Sequence, residues 1–315
     1  PSMGRWSPKP SAASVRTIAS RLGSRRIRRI TGTISAPPPR EAIDATAENW
    51  RAALGDFARA SDWLDHFRRA LAEQPWQAVM RLWVPRLMDG YAGGLTHGLI
   101  RTAHAVRAMP GGDAPGDRER NELAHGLAYW AASYRCSAGD ADREGTQPLG
   151  AALQALPRGD GADIAPTIES LEATPDIDAA ISRHTASFAR LLLAHDEFAP
   201  VPTIQLVHSI TAPRSMRDLL PFLPPARGAW AYRRLWQVSA AILARLTKTP
   251  EAPETAIAIA APKLSRDELI DRAVAHRDDH VIKLTEACLA EDERRPDPVY
   301  RAAAEAILER IPAWK

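Results

Sequence analysis

Strand-favouring runs of Val, Ile and Thr are scarce in this sequence, and aromatic residues make up only 6% of it. Without β-branched and aromatic runs there is little to build a sheet from. Cysteine is almost missing. Cys136 and Cys288 are the only two, too few for a disulfide framework, and they form no CxxC metal knuckle. A reducing cytoplasm is therefore the expected compartment. No stretch approaches the ~20 consecutive apolar residues that a membrane span requires, so no membrane partner is expected. GxGxxG, P-loop and GxSxG signatures are all absent, and no internal repeat stands out. Any nicotinamide would thus act from solution or from a partner.

Ala, Leu and Arg are abundant instead, a balance that favours helices. Hydrophobic residues are 45% and charged residues 25% of the 315, as in soluble globular proteins large enough for a sizeable core. The net charge of +3 is unevenly spread, since residues 1–35 hold eight Arg or Lys and no acid. Such a start reads as a disordered segment, as a nucleic-acid arm or transit segment, or as sequence outside the native frame. Disorder is the reading adopted, because a charge run is usually just solvated, and no nucleic-acid partner is expected. Pro37-Pro38-Pro39 closes the segment with a stiff spacer. The expected organisation is a basic segment over 1–40 and one all-α, multi-helix domain over 41–315.

Within that domain, apolar residues at helical spacing mark the elements. Trp63, Phe67 and Leu71 share a face, and Pro75 opens a helix that turns Trp76, Val79, Leu82 and Trp83 inward. Thr96 reads as the N-cap of a helix His97–Met109. Further helices are expected over RERNELAHGLAYWAASYR, near Asp176–His195, over WAYRRLWQVSAAILARL and over about 299–310. A buried run, IQLVHSIT, is expected to end at Pro213. Ser265 and Glu268 form a capping box opening one long helix to about Asp292.

Nine histidines are the candidates for chemistry. One unbroken C-terminal helix sets His276, His280 and Lys283 at i, i+4 and i+7, on one face. The same arithmetic aligns His97, Arg101 and His104. His208 sits inside an apolar run, where it needs a partner. A single histidine on such a face is more often a satisfied core residue than a ligand. Polar side chains on the inner sides of three helices are harder to dismiss, since buried charge must be paired or metal-bound.

GGLTHGLIRTAHAVRAM, IQLVHSITAP and RDDHVIKLTEACL occur in that order. They resemble the three principal motifs of bacterial questin oxidase-like proteins, over roughly residues 45–312. The resemblance implies an oxidoreductase that uses dioxygen on polycyclic aromatic phenols or quinones. It also implies a non-haem iron held by His97, His208, His280 and a carboxylated Lys283, with NADPH as an external reductant. Imidazoles plus one carboxylate-like oxygen suit iron(II). Asp279 or Glu286 would accept a hydrogen bond from a ligand and so orient it. Arg101 stands where the fungal pattern has a second histidine, as a binder of a phenolate or an oxygen species, with His104 as acid/base. Trp83 and Tyr91 are candidates for an apolar pocket wall. The family's N-terminal Asn-His motif is not found, so either His104 or His276 replaces its histidine or the site is one ligand short. The alternative is a non-enzymatic helical protein whose same residues form a buried polar network around a small ligand.

Overall fold

The computed structural model describes residues 40–313, apart from 47–48, 111–114, 137–141, 160–161, 173, 196–198 and 248–258. The basic segment thus lies outside the described residues, save Arg40. The described residues form thirteen α-helices, with short 3-10 turns between some of them. They are α1 (Asn49–Ala52), α2 (Ala60–Glu73), α3 (Trp76–Leu87), α4 (His97–Ala108) and α5 (Asp117–Ala132). Next come α6 (Leu149–Ala155), α7 (Ala165–Ile168), α8 (Ile177–Ala194), α9 (Pro200–Leu219) and α10 (Gly228–Leu246). The last are α11 (Arg266–His276), α12 (Asp279–Arg294) and α13 (Pro298–Arg310). Among the described residues there is no strand, only three isolated bridges. Among the described residues, no helix is long and apolar enough to cross a membrane. The all-α expectation holds.

The hub is α9, which packs on α4, α8, α10 and α12. Fourteen of its residues are buried, from Thr203 to Leu219, polar ones such as His208, Arg214 and Arg217 among them. The helix does not stop at Pro213 but runs through it. Pro213 forfeits a hydrogen bond there, but packing on four neighbours decides the conformation over the local preference.

The predicted long C-terminal helix is two helices. Arg277 adopts a left-handed conformation (φ 70°) and ends α11. Asp278 then accepts the backbone N–H groups of His280 (2.9 Å) and Val281 (3.3 Å), and so begins α12. An aspartate is a strong N-cap, and here it wins over the continuous apolar period. The capping box at Ser265 and Glu268 is present. Trp83 and Tyr91 are fully buried. Trp83 lies edge-on to Trp50 and Trp63, so it is a core residue rather than a pocket wall.

Gly98, beside His97, lets α4 approach α5 closely. A Cβ there would stand 2.5 Å from Trp130 Cα, a backbone atom that cannot swing away. Gly98→Ala is expected to lower stability by about 1–3 kcal/mol, the usual range for overpacking. Urea unfolding of wild type and variant measures it, and an unchanged midpoint would show that the two helices separate at no cost.

Candidate metal centre

Three helices of the hub each bring one histidine to the same place. His97 opens α4, His208 lies mid-way along α9, and His280 stands in the first turn of α12. One ligand nitrogen from each lies within 4.8 Å of the other two. Two metal–nitrogen bonds of ~2.1 Å span about 4.2 Å end to end, so small ring rotations bring all three onto one ion. The ring centroids are 4.5 Å apart for His97 and His208, 5.8 Å for His208 and His280, and 6.1 Å for His97 and His280.

The other ring nitrogens say which atoms face inward. His97 Nδ1 lies 2.5 Å from the Gly94 carbonyl oxygen. A carbonyl only accepts, so Nδ1 carries the proton and Nε2 keeps its lone pair. His208 Nδ1 is 3.1 Å from the Thr96 hydroxyl, and its Nε2 is buried with no hydrogen-bond partner. His280 Nδ1 approaches Asp279 Oδ1 (3.3 Å) and Asp278 Oδ1 (3.4 Å) without forming a hydrogen bond. Buried polar atoms are rarely left unpaired, so the orphaned His208 Nε2 fits a cation, whereas His280 Nδ1 faces the two carboxylates.

Electrostatics favour neutral rings. Burial, then the Lys283 ammonium, lowers the pKa of His97. Burial, then His97 and Lys283, holds His208 well below the usual histidine range. Neutral imidazole is the ligating form. Three imidazoles therefore fit a divalent metal. Lys283 donates to Asp279 Oδ2 at 2.5 Å, the pairing of an ordinary lysine. As placed it offers no oxygen ligand.

The remaining predicted residues separate. His104 belongs to the same region: burial, then Arg107, Lys283 and Arg214, keeps its ring neutral well below the usual range. Arg101 instead turns to α5, where Glu122 takes its guanidinium at 2.8 and 3.2 Å. That carboxylate already satisfies the charge that a phenolate would need. His276 is not part of the cluster. The break at Arg277 turns it away, and its Nε2 lies 2.8 Å from the Ile311 carbonyl oxygen.

Two features escaped the sequence reading. Beneath the histidines, Arg107 of α4 pairs with Asp218 (2.5 Å) and Glu286 (3.1 Å), and Arg214 pairs with Asp218 (2.8 Å). This ties the same three helices two to three turns further along. Arg214 inside SITAPRSM, a buried stretch, was the available signal. The second feature is Thr96, treated below. A cavity of about 570 Å³ lies elsewhere, between α8, α10 and the 147–174 region, with Arg183, Ser187, Tyr232 and Asp297 in its wall. None of the cluster histidines lines it.

The sequence model of the questin oxidase-like family matches residues 28–194, just over half of the chain. The chain belongs to the questin oxidase-like family. A comparison with curated proteins gave no match. The matched part begins inside the basic segment, before the triple proline, and contains His97, Arg101 and His104. His208, His280 and Lys283 lie beyond it. For this questin oxidase-like chain, the convergence of His208 and His280 on His97 is thus a finding of geometry, independent of the match.

Proposed function

We propose that this chain is an iron-dependent oxidoreductase that uses dioxygen on polycyclic aromatic phenols or quinones. The observation that carries the reading is the meeting of three imidazoles from three helices, in a family named for an oxidase. When bound, a non-haem iron supplies the redox capacity and open coordination positions that dioxygen chemistry uses. His97, His208 and His280 would hold it.

The chain's own groups do the rest. His104, kept neutral by burial and three neighbouring cations, would meet the substrate as an uncharged hydrogen-bond partner rather than as a base. Lys283 and Arg107 lie on the same side, each already paired with a carboxylate. Carboxylation of Lys283 requires its neutral amine to add to carbon dioxide and lose a proton, so Asp279 must first release it. The reductant, NADPH in this reading, comes from solution. The non-enzymatic alternative, a closed polar network around a small ligand, is disfavoured by the unpartnered His208 Nε2.

Metal analysis of purified protein tests the reading. One iron per chain is expected, lost in His208→Ala, with dioxygen uptake dependent on a hydroxyanthraquinone probe. Metal-free wild-type protein after loading with iron(II) under anaerobic conditions would sink it.

A further inference from the structure

Gly94, Leu95 and Thr96 form three consecutive left-handed residues (φ 57°, 52° and 64°) immediately before His97. Gly94 adopts this backbone freely. Leu95 and Thr96 do not, because Cβ there crowds the following carbonyl oxygen. Thr96 also abandons its expected task. It stands at the N-cap of α4, but its side chain makes no capping hydrogen bond, the role threonine usually fills there. A β-branched residue in a disfavoured conformation that also leaves a helix uncapped breaks two local rules at once. Such breaches persist where the surroundings over-determine them, and they cluster at functional sites.

The surroundings show what the turn achieves. Its first carbonyl, Gly94 O, fixes the proton of His97 on Nδ1. Its last hydroxyl, Thr96 Oγ1, is 3.1 Å from Nδ1 of His208, 112 residues away and buried. Thr96 itself is 1% exposed, so no water competes for that hydroxyl. A histidine that ligates through Nε2 needs its proton on Nδ1 and an acceptor to hold it there. One short turn supplies that acceptor to two helices.

Resting on the metal reading above, we infer that Thr96 is a positioning residue for the centre. Its hydroxyl holds the tautomer and ring angle of His208, and the strained turn exists to deliver it. The inference concerns Thr96 rather than the ligands, and affinity for a metal probe reads it without turnover.

Wild type, Thr96→Val, Thr96→Ser and Thr96→Ala are loaded with Co2+ in competition with a chromophoric chelator. Visible spectra and thermal melts are recorded on the same samples. Val keeps the shape and β-branching of Thr, so Thr96→Val deletes the hydroxyl with little change in strain. It should bind Co2+ about 10–100-fold more weakly, the usual cost of losing such a partner, with an altered spectrum. Thr96→Ala should do the same if the Val variant folds poorly, and Thr96→Ser should stay close to wild type. A purely structural Thr96 would lower the melting temperature and leave the affinity of folded protein unchanged. Wild-type affinity and spectrum in both Thr96→Val and Thr96→Ala, or equal losses in Thr96→Ser and Thr96→Val, overturn the inference. Failure of wild type itself to bind Co2+ overturns the metal reading beneath it.

Discussion

Arg217→Ala is expected to lower folding stability by about 3–5 kcal/mol, the cost of stranding a buried charge. Arg217 lies on α9 and is only 6% exposed as a side chain; its partner Glu291 on α12 is 1% exposed. The guanidinium donates to both carboxylate oxygens, at 2.8 and 2.9 Å. It also donates to Ser182 Oγ at 2.7 Å and to the Asp178 carbonyl oxygen at 3.0 Å, both on α8. Removing it leaves the Glu291 carboxylate in the core with only the Ser182 hydroxyl. The double variant Arg217→Met with Glu291→Leu removes both charges and should be nearly neutral, since well-packed apolar replacements of buried pairs usually are. Urea midpoints of the three proteins decide the matter. Equal losses in single and double variants would show that the pair itself stabilises, rather than its breaking destabilising. The cluster holds α8, α9 and α12 together, and two of these helices carry His208 and His280. In Arg217→Ala the metal site should therefore loosen as the fold does.

The elements that were legible in the sequence are those with a strong local cause. The Ser265–Glu268 box appears as expected, and the helix expected near Asp176–His195 runs from Ile177 to Ala194. What was illegible depends on contacts far along the chain. The apolar period of residues 266–292 continues smoothly across Arg277, and only the Asp278 cap decides that the helix restarts. That restart separates His276 from His280. Pro213 marks a stop in any local reading, but its helix is embraced on four sides. At the metal centre, spacing aligned His97, Arg101 and His104, but not which of them has a competing carboxylate. Glu122, 21 residues on, claims Arg101. Thr96 was legible as a cap from its neighbours alone, and its actual partner is 112 residues away. Residue types at the site were readable, whereas their pairing is a property of packing.

His184 gives the second large effect, in the pH dependence of folding. It is fully buried on α8, stacked on Phe188 at 4.7 Å and edge-on to Tyr232. Its Nε2 lies 3.0 Å from the Ser239 hydroxyl, and Nδ1 has no partner. Burial alone pushes its pKa down to about 3. The unfolded chain protonates this ring near pH 6.5, while the folded protein holds it neutral until about pH 3. Between those values the unfolded state binds the extra proton, so stability falls as the pH falls. Above pH 6.5 the residue contributes no pH dependence. At pH 4 the accumulated penalty is about 3 kcal/mol, at ~1.4 kcal/mol per pH unit. His125, whose pKa burial lowers to about 4, acts in the same direction, so the test is a difference between proteins. His184→Gln cannot titrate. Its unfolding free energy should fall less steeply than that of wild type from pH 6.5 to 4, the gap narrowing by about 3 kcal/mol over that range. Parallel curves would mean that the folded protein admits a proton at His184, through an opening of the α8–α10 interface near Ser239.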